Sequence, residues 1–202
     1  VRLVLLALAG VMSGLVAGCD VPLQGQGSRS FAVLGGAVVV RGPEGYCVDP
    51  VASRADTGFA VMGECGLIAA SGLIPTADGF ITVQVGPSGS AIVEGSEAEL
   101  AALLRSQRGA ALLSDDGASG DIRIDQLDRG DGLIAVHFID RGAPPVEGLV
   151  SDEWRVFMDV QGRLTTISVR GYERSPLTSA QAQALLYGAV DGMRRANRTT
   201  PI

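Results

Sequence analysis

Trp154-Arg155-Val156-Phe157-Met158-Asp159-Val160, followed by Gln161-Gly162 and then Arg163-Leu164-Thr165-Thr166-Ile167-Ser168-Val169, decides the fold. Two runs rich in β-branched and aromatic residues separated by a two-residue turn specify a β-hairpin. The turn sets the register: Val160 faces Arg163, Met158 faces Thr165, Val156 faces Ile167 and Trp154 faces Val169. Successive side chains on a strand point to opposite faces, so this set forms one apolar face that needs a cover. The other face carries Arg155, Phe157 and Asp159 against Leu164, Thr166 and Ser168. On it, Arg155 and Asp159 read as surface charges two pleats apart, with a groove lining as the alternative.

The cover lies just downstream. Thr178 with Gln181 three residues later forms a capping box, and Ala182, Leu185, Leu186, Ala189, Val190 and Met193 follow as a helical apolar stripe. Arg194, Arg195 and Arg198 gather at its C-terminal end, where the helix dipole accounts for them and an anion site is the weaker reading. Upstream, residues 121–127 and 133–140 predict a second hairpin across Asp128-Arg129-Gly130-Asp131-Gly132. That connection imitates part of a calcium loop, but Leu127, Arg129 and Phe138 fall at ligand positions and cannot coordinate the ion. Its Arg129-Gly130-Asp131 tripeptide is explained by the backbone preferences of turns.

Further upstream, Ser96 and Glu99 have capping-box spacing, and Leu100, Leu103, Leu104 and Ala111 predict one helix over 96–108 and its apolar face. Residues 37–40, 46–48, 59–62 and 80–85 are strand candidates, whereas 65–78 resists assignment. Gly86-Pro87-Ser88-Gly89-Ser90 departs from a nucleophile elbow at its last position and reads as a turn. The order predicts an α+β domain: an antiparallel sheet of six to seven strands with two main helices packed against it.

The first residues carry an address. Arg2 precedes an apolar run over 3–16 that leads into Val16-Ala17-Gly18-Cys19. Fourteen helical residues span about 21 Å, short of the roughly 30 Å hydrocarbon core, so the run suits a signal peptide better than a membrane-spanning helix. The segment resembles a bacterial lipoprotein signal peptide with its lipobox. That resemblance implies cleavage after residue 18, lipidation of Cys19 and attachment to a bilayer facing the periplasm. Asp20 follows the lipidated position, and in that class such an Asp favours inner-membrane retention; inner and outer membrane are both left open. The organisation expected is therefore 1–18 signal peptide, 19–30 lipidated Cys and Gly/Gln/Ser-rich tether, and 31–202 a single domain.

With Cys19 assigned to lipid, two of the three cysteines remain, Cys47 and Cys65, as a candidate disulfide in an oxidising compartment. Two buried free thiols or a reactive pair are the alternatives, although the spacing is not C-x-x-C. The residues 153–166 of the deciding hairpin resemble those of uncharacterised exported proteins of Gram-negative bacteria. The hairpin with its last helix is also similar to the PsbP/Mog1 type of α-β-α sandwich, which implies a fold and no catalytic residue.

A net charge of −6 without a basic stripe disfavours nucleic acid as partner. With one His in the chain, ordinary Cys/His zinc sites are not expected, and no cofactor fingerprint is present. The reading is a periplasmic lipoprotein whose domain binds or supports another envelope component without catalysis. Its alternative is a hydrolase-type enzyme using His137 or an acidic pair such as Asp152-Glu153 or Asp115-Asp116. His137 shares a strand face with Leu133, Ala135 and Ile139, which favours a buried, hydrogen-bonded structural role.

Overall fold

The computed structural model describes residues 27–69, 75, 77–115, 117 and 119–198. Cys19, the segment 1–18 expected to be a signal peptide, residues 20–26 of the expected tether and Asp116 lie outside them. The chain forms β1 (Phe31–Val33), β2 (Val38–Val40), β3 (Tyr46–Arg54), β4 (Phe59–Glu64), α1 (Cys65–Ile68) and β5 (Gly79–Val85). These are followed by α2 (Glu97–Leu104), α3 (Gln107–Leu113), β6 (Ile122–Gly130), β7 (Leu133–Asp140), β8 (Leu149–Val160), β9 (Arg163–Tyr172) and α4 (Ser179–Ala196). β1 and β2 pair by themselves, and the other seven strands form one antiparallel sheet in the order β3-β4-β5-β9-β8-β7-β6. Two meanders thus meet where β9 returns to β5, an α+β architecture with helices packed on the sheet.

The deciding hairpin has the register read from its alternation: Trp154, Val156, Met158 and Val160 face Val169, Ile167, Thr165 and Arg163. Gln161 and Gly162 have φ of 51° and 70°, the paired left-handed conformation whose twist matches a two-residue hairpin. Asp131 and Gly132 repeat it at 53° and 70°. Residues 128–130 therefore continue β6, and the five-residue connection expected there shrinks to two. α4 begins as its sequence specifies, with the Thr178 hydroxyl accepting from the Gln181 amide and the Gln181 side chain accepting from the Thr178 amide. Its stripe from Ala182 to Met193 is buried on the apolar sheet face with Trp154, Val156 and Ile167. Val33, Val38 and Val40 from the small β1–β2 ribbon complete that core.

The single helix expected over 96–108 is instead two. Ser106 Oγ donates to Leu103 O at 2.6 Å and accepts from the Gly109 amide at 3.2 Å, ending α2 and capping α3 in one residue. Serine competes with helical backbone bonding in this way. At Gly109 an added Cβ would lie 1.9 Å from Leu103 O, so glycine permits the fold-back. Ser96 makes no side-chain cap bond, and Leu103 is 37% exposed; Ala101, Leu104 and Leu113 form the buried contact instead. They cover Ile134, Val136 and Phe138 on the second face of the sheet.

Cys47 on β3 and Cys65 at the start of α1 lie at disulfide distance, with S–S 2.01 Å and Cα–Cα 4.8 Å. Ahead of Phe31, the Gly27 amide bonds Ile68 O at 3.4 Å and the Val48 amide bonds Ser28 O at 2.8 Å. The backbone at 27–28 is thus already engaged with β3 and α1.

Candidate functional site

The two faces of the sheet are covered to different extents. α4 and the β1–β2 ribbon close one, while α2 and α3 close the other over β6, β7 and part of β8. On the remaining part of the second face the ladder sets Phe59 opposite Gln84, and Gln84 opposite Thr166; the next row is Val61, Thr82 and Ser168. Phe80 lies one row beyond, opposite Arg170. Phe59, Val61, Phe80, Thr82, Thr166 and Ser168 are all half-buried, unlike the closed apolar positions on the other side. This leaves a shallow sheet face of aromatic, aliphatic and hydroxyl groups.

An ionic cluster bounds that face where α3 ends. Glu153 is a direct cross-strand neighbour of Arg170. Its Oε2 accepts from Arg170 Nε at 2.7 Å and its Oε1 from Arg155 Nε at 2.7 Å. Arg155 Nε also reaches Ser168 Oγ at 2.9 Å, its Nη1 donates to Leu113 O at 3.2 Å, and its guanidinium lies 5.1 Å from the Phe138 ring centroid. Asp115 enters from the end of α3 and accepts from Arg170 Nη2 at 2.6 Å. Burial pushes the Asp115 carboxyl above the usual carboxylate range, with Arg170 pulling the other way. Buried Asp140 accepts from the Asp115 amide at 3.1 Å and the Gly142 amide at 2.9 Å, orienting the turn that delivers Asp115. The cleft above Glu153, Arg155 and Arg170 has a volume of about 50 Å³, space for water or one small group.

Arg155 and Asp159 therefore depart from the surface-charge reading. Arg155 is tied into the cluster, and the Asp159 carboxylate accepts from the amides of Ile92, Val93 and Glu94 at 3.1, 2.8 and 2.9 Å. That carboxylate organises the loop entering α2. The extra charged partner, Arg170, had a signal in the sequence: continuing the hairpin register by one pair past Trp154 and Val169 sets Glu153 against Arg170. Asp115 had none, because its arrival depends on the break between α2 and α3.

His137 lies on the α4 side of β7, 9% exposed, with its ring stacked on Trp154 at 5.0 Å between centroids and 21° between planes. Its Nε2 is 3.0 Å from both carboxylate oxygens of Asp152, and Nδ1 is 4.0 Å from Asp125 Oδ2. Trp154 is itself oriented by Nε1 donating to Ser179 Oγ at 3.2 Å. The sequence neighbours Asp152 and Glu153 project to opposite faces, one to His137 and one to the arginine cluster. Among the described residues, no group of three or more His, Cys, Asp or Glu side chains has metal-binding geometry.

No family model matches the chain, and no curated protein matches its sequence. Among solved structures, a variant of the protein Mog1 is similar, with a TM-score of 0.45 and 13% identity over 83% of this chain and 93% of that one.

Proposed function

We propose that the protein is a membrane-tethered periplasmic lipoprotein, held through acylated Cys19, whose domain is a non-catalytic binding module for another envelope component. The half-open sheet face beside the Glu153–Arg155–Arg170 cluster carries this reading. Its backbone is part of a rigid ladder, its side chains are half-exposed, and its charged margin is fixed by hydrogen bonds, as a preorganised binding surface requires. The paired cysteines fit an oxidising compartment. His137 supports the module reading as well: its ring is occupied by Trp154 and its Nε2 by Asp152, so it serves to lock β7 to β8.

The test compares wild type with Thr82→Glu, which puts a charge in the middle of the face without entering the core. After crosslinking in intact cells, the expected result is one specific crosslinked partner for wild type and its loss in the variant, with unchanged melting temperature. The same purification should give an N-terminal mass for acylated Cys19. Identical crosslinking in both proteins would dismiss the face, and an N-terminus retaining residues 1–18 would dismiss the tether.

A further inference from the structure

We infer that a pocket between the turn at 41–45 and the C-terminal half of α4 binds a phosphate group. Arg29, Arg41 and Arg195 line it together with Glu44 and the backbone of Gly42 and Gly45, and its volume is about 220 Å³. Three guanidinium groups against one carboxylate reverse the sign of a chain whose net charge is −6. A concave site of one sign focuses the field and concentrates the opposite ion.

These cations are not spent on holding the fold. Among the described residues, the guanidinium groups of Arg29 and Arg41 make no hydrogen bond or ion pair. Arg195 has Asp191 at 4.0 Å, with both side chains more than half exposed. A contact of that kind contributes little and is readily exchanged for a better acceptor. The helix dipole explains one arginine at the end of α4, but it does not explain why two more, from the chain before β1 and the end of β2, converge on the same pocket.

The walls are fixed before any ligand arrives. α4 lies against the turn through two glycines: a Cβ at Gly192 would be 2.4 Å from Arg41 O, and one at Gly188 would be 3.0 Å from Pro43 Cβ. The turn itself is held by the Tyr46 amide donating to Pro43 O at 3.2 Å and the Cys65 amide to Gly45 O at 2.8 Å. Below it, the Tyr46 hydroxyl donates to Ala77 O at 2.6 Å and accepts from the Gly79 amide at 2.9 Å. A preorganised wall lowers the ordering cost of binding, leaving only the arginine side chains to settle.

The planar fork of arginine matches phosphate oxygens in pairs, and a phosphate offers acceptors to several forks at once. The volume falls below the roughly 300 Å³ at which pockets begin to enclose a drug-sized ligand, which suits a headgroup or a free anion. Two sources share this chemistry, a phospholipid headgroup and a soluble phosphate. Arg29 lies ten positions beyond Cys19, and the eight residue steps of chain from Cys19 to the bonded Gly27 can span at most about 29 Å. The lipid source therefore rests on the tethered reading proposed above; phosphate recognition does not.

Calorimetry on the full chain in a non-ionic detergent separates these cases, with sodium phosphate and a water-soluble short-chain phosphatidylglycerol as separate probes and sodium chloride at matched ionic strength as the blank. The expected result is saturable binding of at least one probe with a Kd of about 1 mM or tighter. Arg41→Gln and Arg195→Gln should each weaken it about tenfold, while both exposed substitutions leave the melting temperature unchanged. Tighter binding of the lipid assigns a headgroup, and tighter binding of inorganic phosphate assigns a soluble ligand. Absence of saturable heat with either probe, or equal binding by wild type and both variants, overturns the inference. The N-terminal mass tests the tether separately, so failure of one leaves the other standing.

Discussion

Glu153 is where a single side chain does most for the second sheet face. It is 1% exposed and answers two guanidinium groups, one of them on Arg170 at 4% exposed. Burying three charges is costly, and the cluster holds because every one has a partner. Removing the shared carboxylate leaves two arginines with Asp115 as their one carboxylate among the described residues, and burial already pushes that carboxyl upward. Glu153→Ala should therefore lower the unfolding free energy by about 3–5 kcal/mol in a urea titration. Glu153→Gln, which retains one acceptor oxygen, should lie between it and wild type. A loss below about 1 kcal/mol for the alanine variant would place the pair among ordinary surface bridges.

At the scale of elements, the hairpin β8–β9 and helix α4 were legible because their signals are local: a two-residue turn fixes the register, and a capping box with a regular stripe fixes a helix. The α2–α3 break was not, since the apolar spacing of Leu100, Leu103, Leu104 and Ala111 continues the helical pattern across Ser106. There the serine's bonds to Leu103 and Gly109 win over periodicity. The open part of the sheet was equally hidden, because which half of a face stays uncovered depends on where α2 and α3 dock. The glycines of α4 show the same limit in energetic form. Helix propensity alone makes Gly192→Ala favourable by about 1 kcal/mol. Contact reverses the sign, for the new Cβ would lie 2.4 Å from Arg41 O and 2.7 Å from Gly42 O, and backbone oxygens cannot step aside as a flexible side chain can. Overpacking of that kind costs about 1–3 kcal/mol, so thermal melts should show Gly192→Ala below wild type. A raised melting temperature would mean that α4 does not rest on the 41–43 backbone.

Over the whole molecule, stability is unevenly supported across the seven strands. β9 and β5 join the two meanders in the middle and carry a continuous register from Gly79 with Gly171 to Val85 with Thr165. The rims are interrupted: β3 shifts register between Asp49 and Arg54 and includes Pro50, and β6 shifts between Ile124 and Gln126. Bulges and proline suit edge strands, where they discourage pairing with another chain. Among the described residues, β4 is the one strand of the sheet beside β3, whose outer edge is bridged by Ser28 at Val48, and Val51 on β3 is 82% exposed. The Cys47–Cys65 pair acts at this weak margin, joining β3 to the start of α1 across a separation of 18 residues. Closing a loop of that size restricts the unfolded chain by about 3 kcal/mol in the entropic model. Cys47→Ala with Cys65→Ala should accordingly lower the urea midpoint by the equivalent of about 3 kcal/mol, less any repacking gain. Hydrogen exchange locates the change: amides of β3 and β4 should lose protection by more than those of β5 and β9, since the released margin can open without separating the central pair. Uniform loss across all seven strands would instead make the sheet one cooperative unit, with the disulfide acting on global unfolding alone.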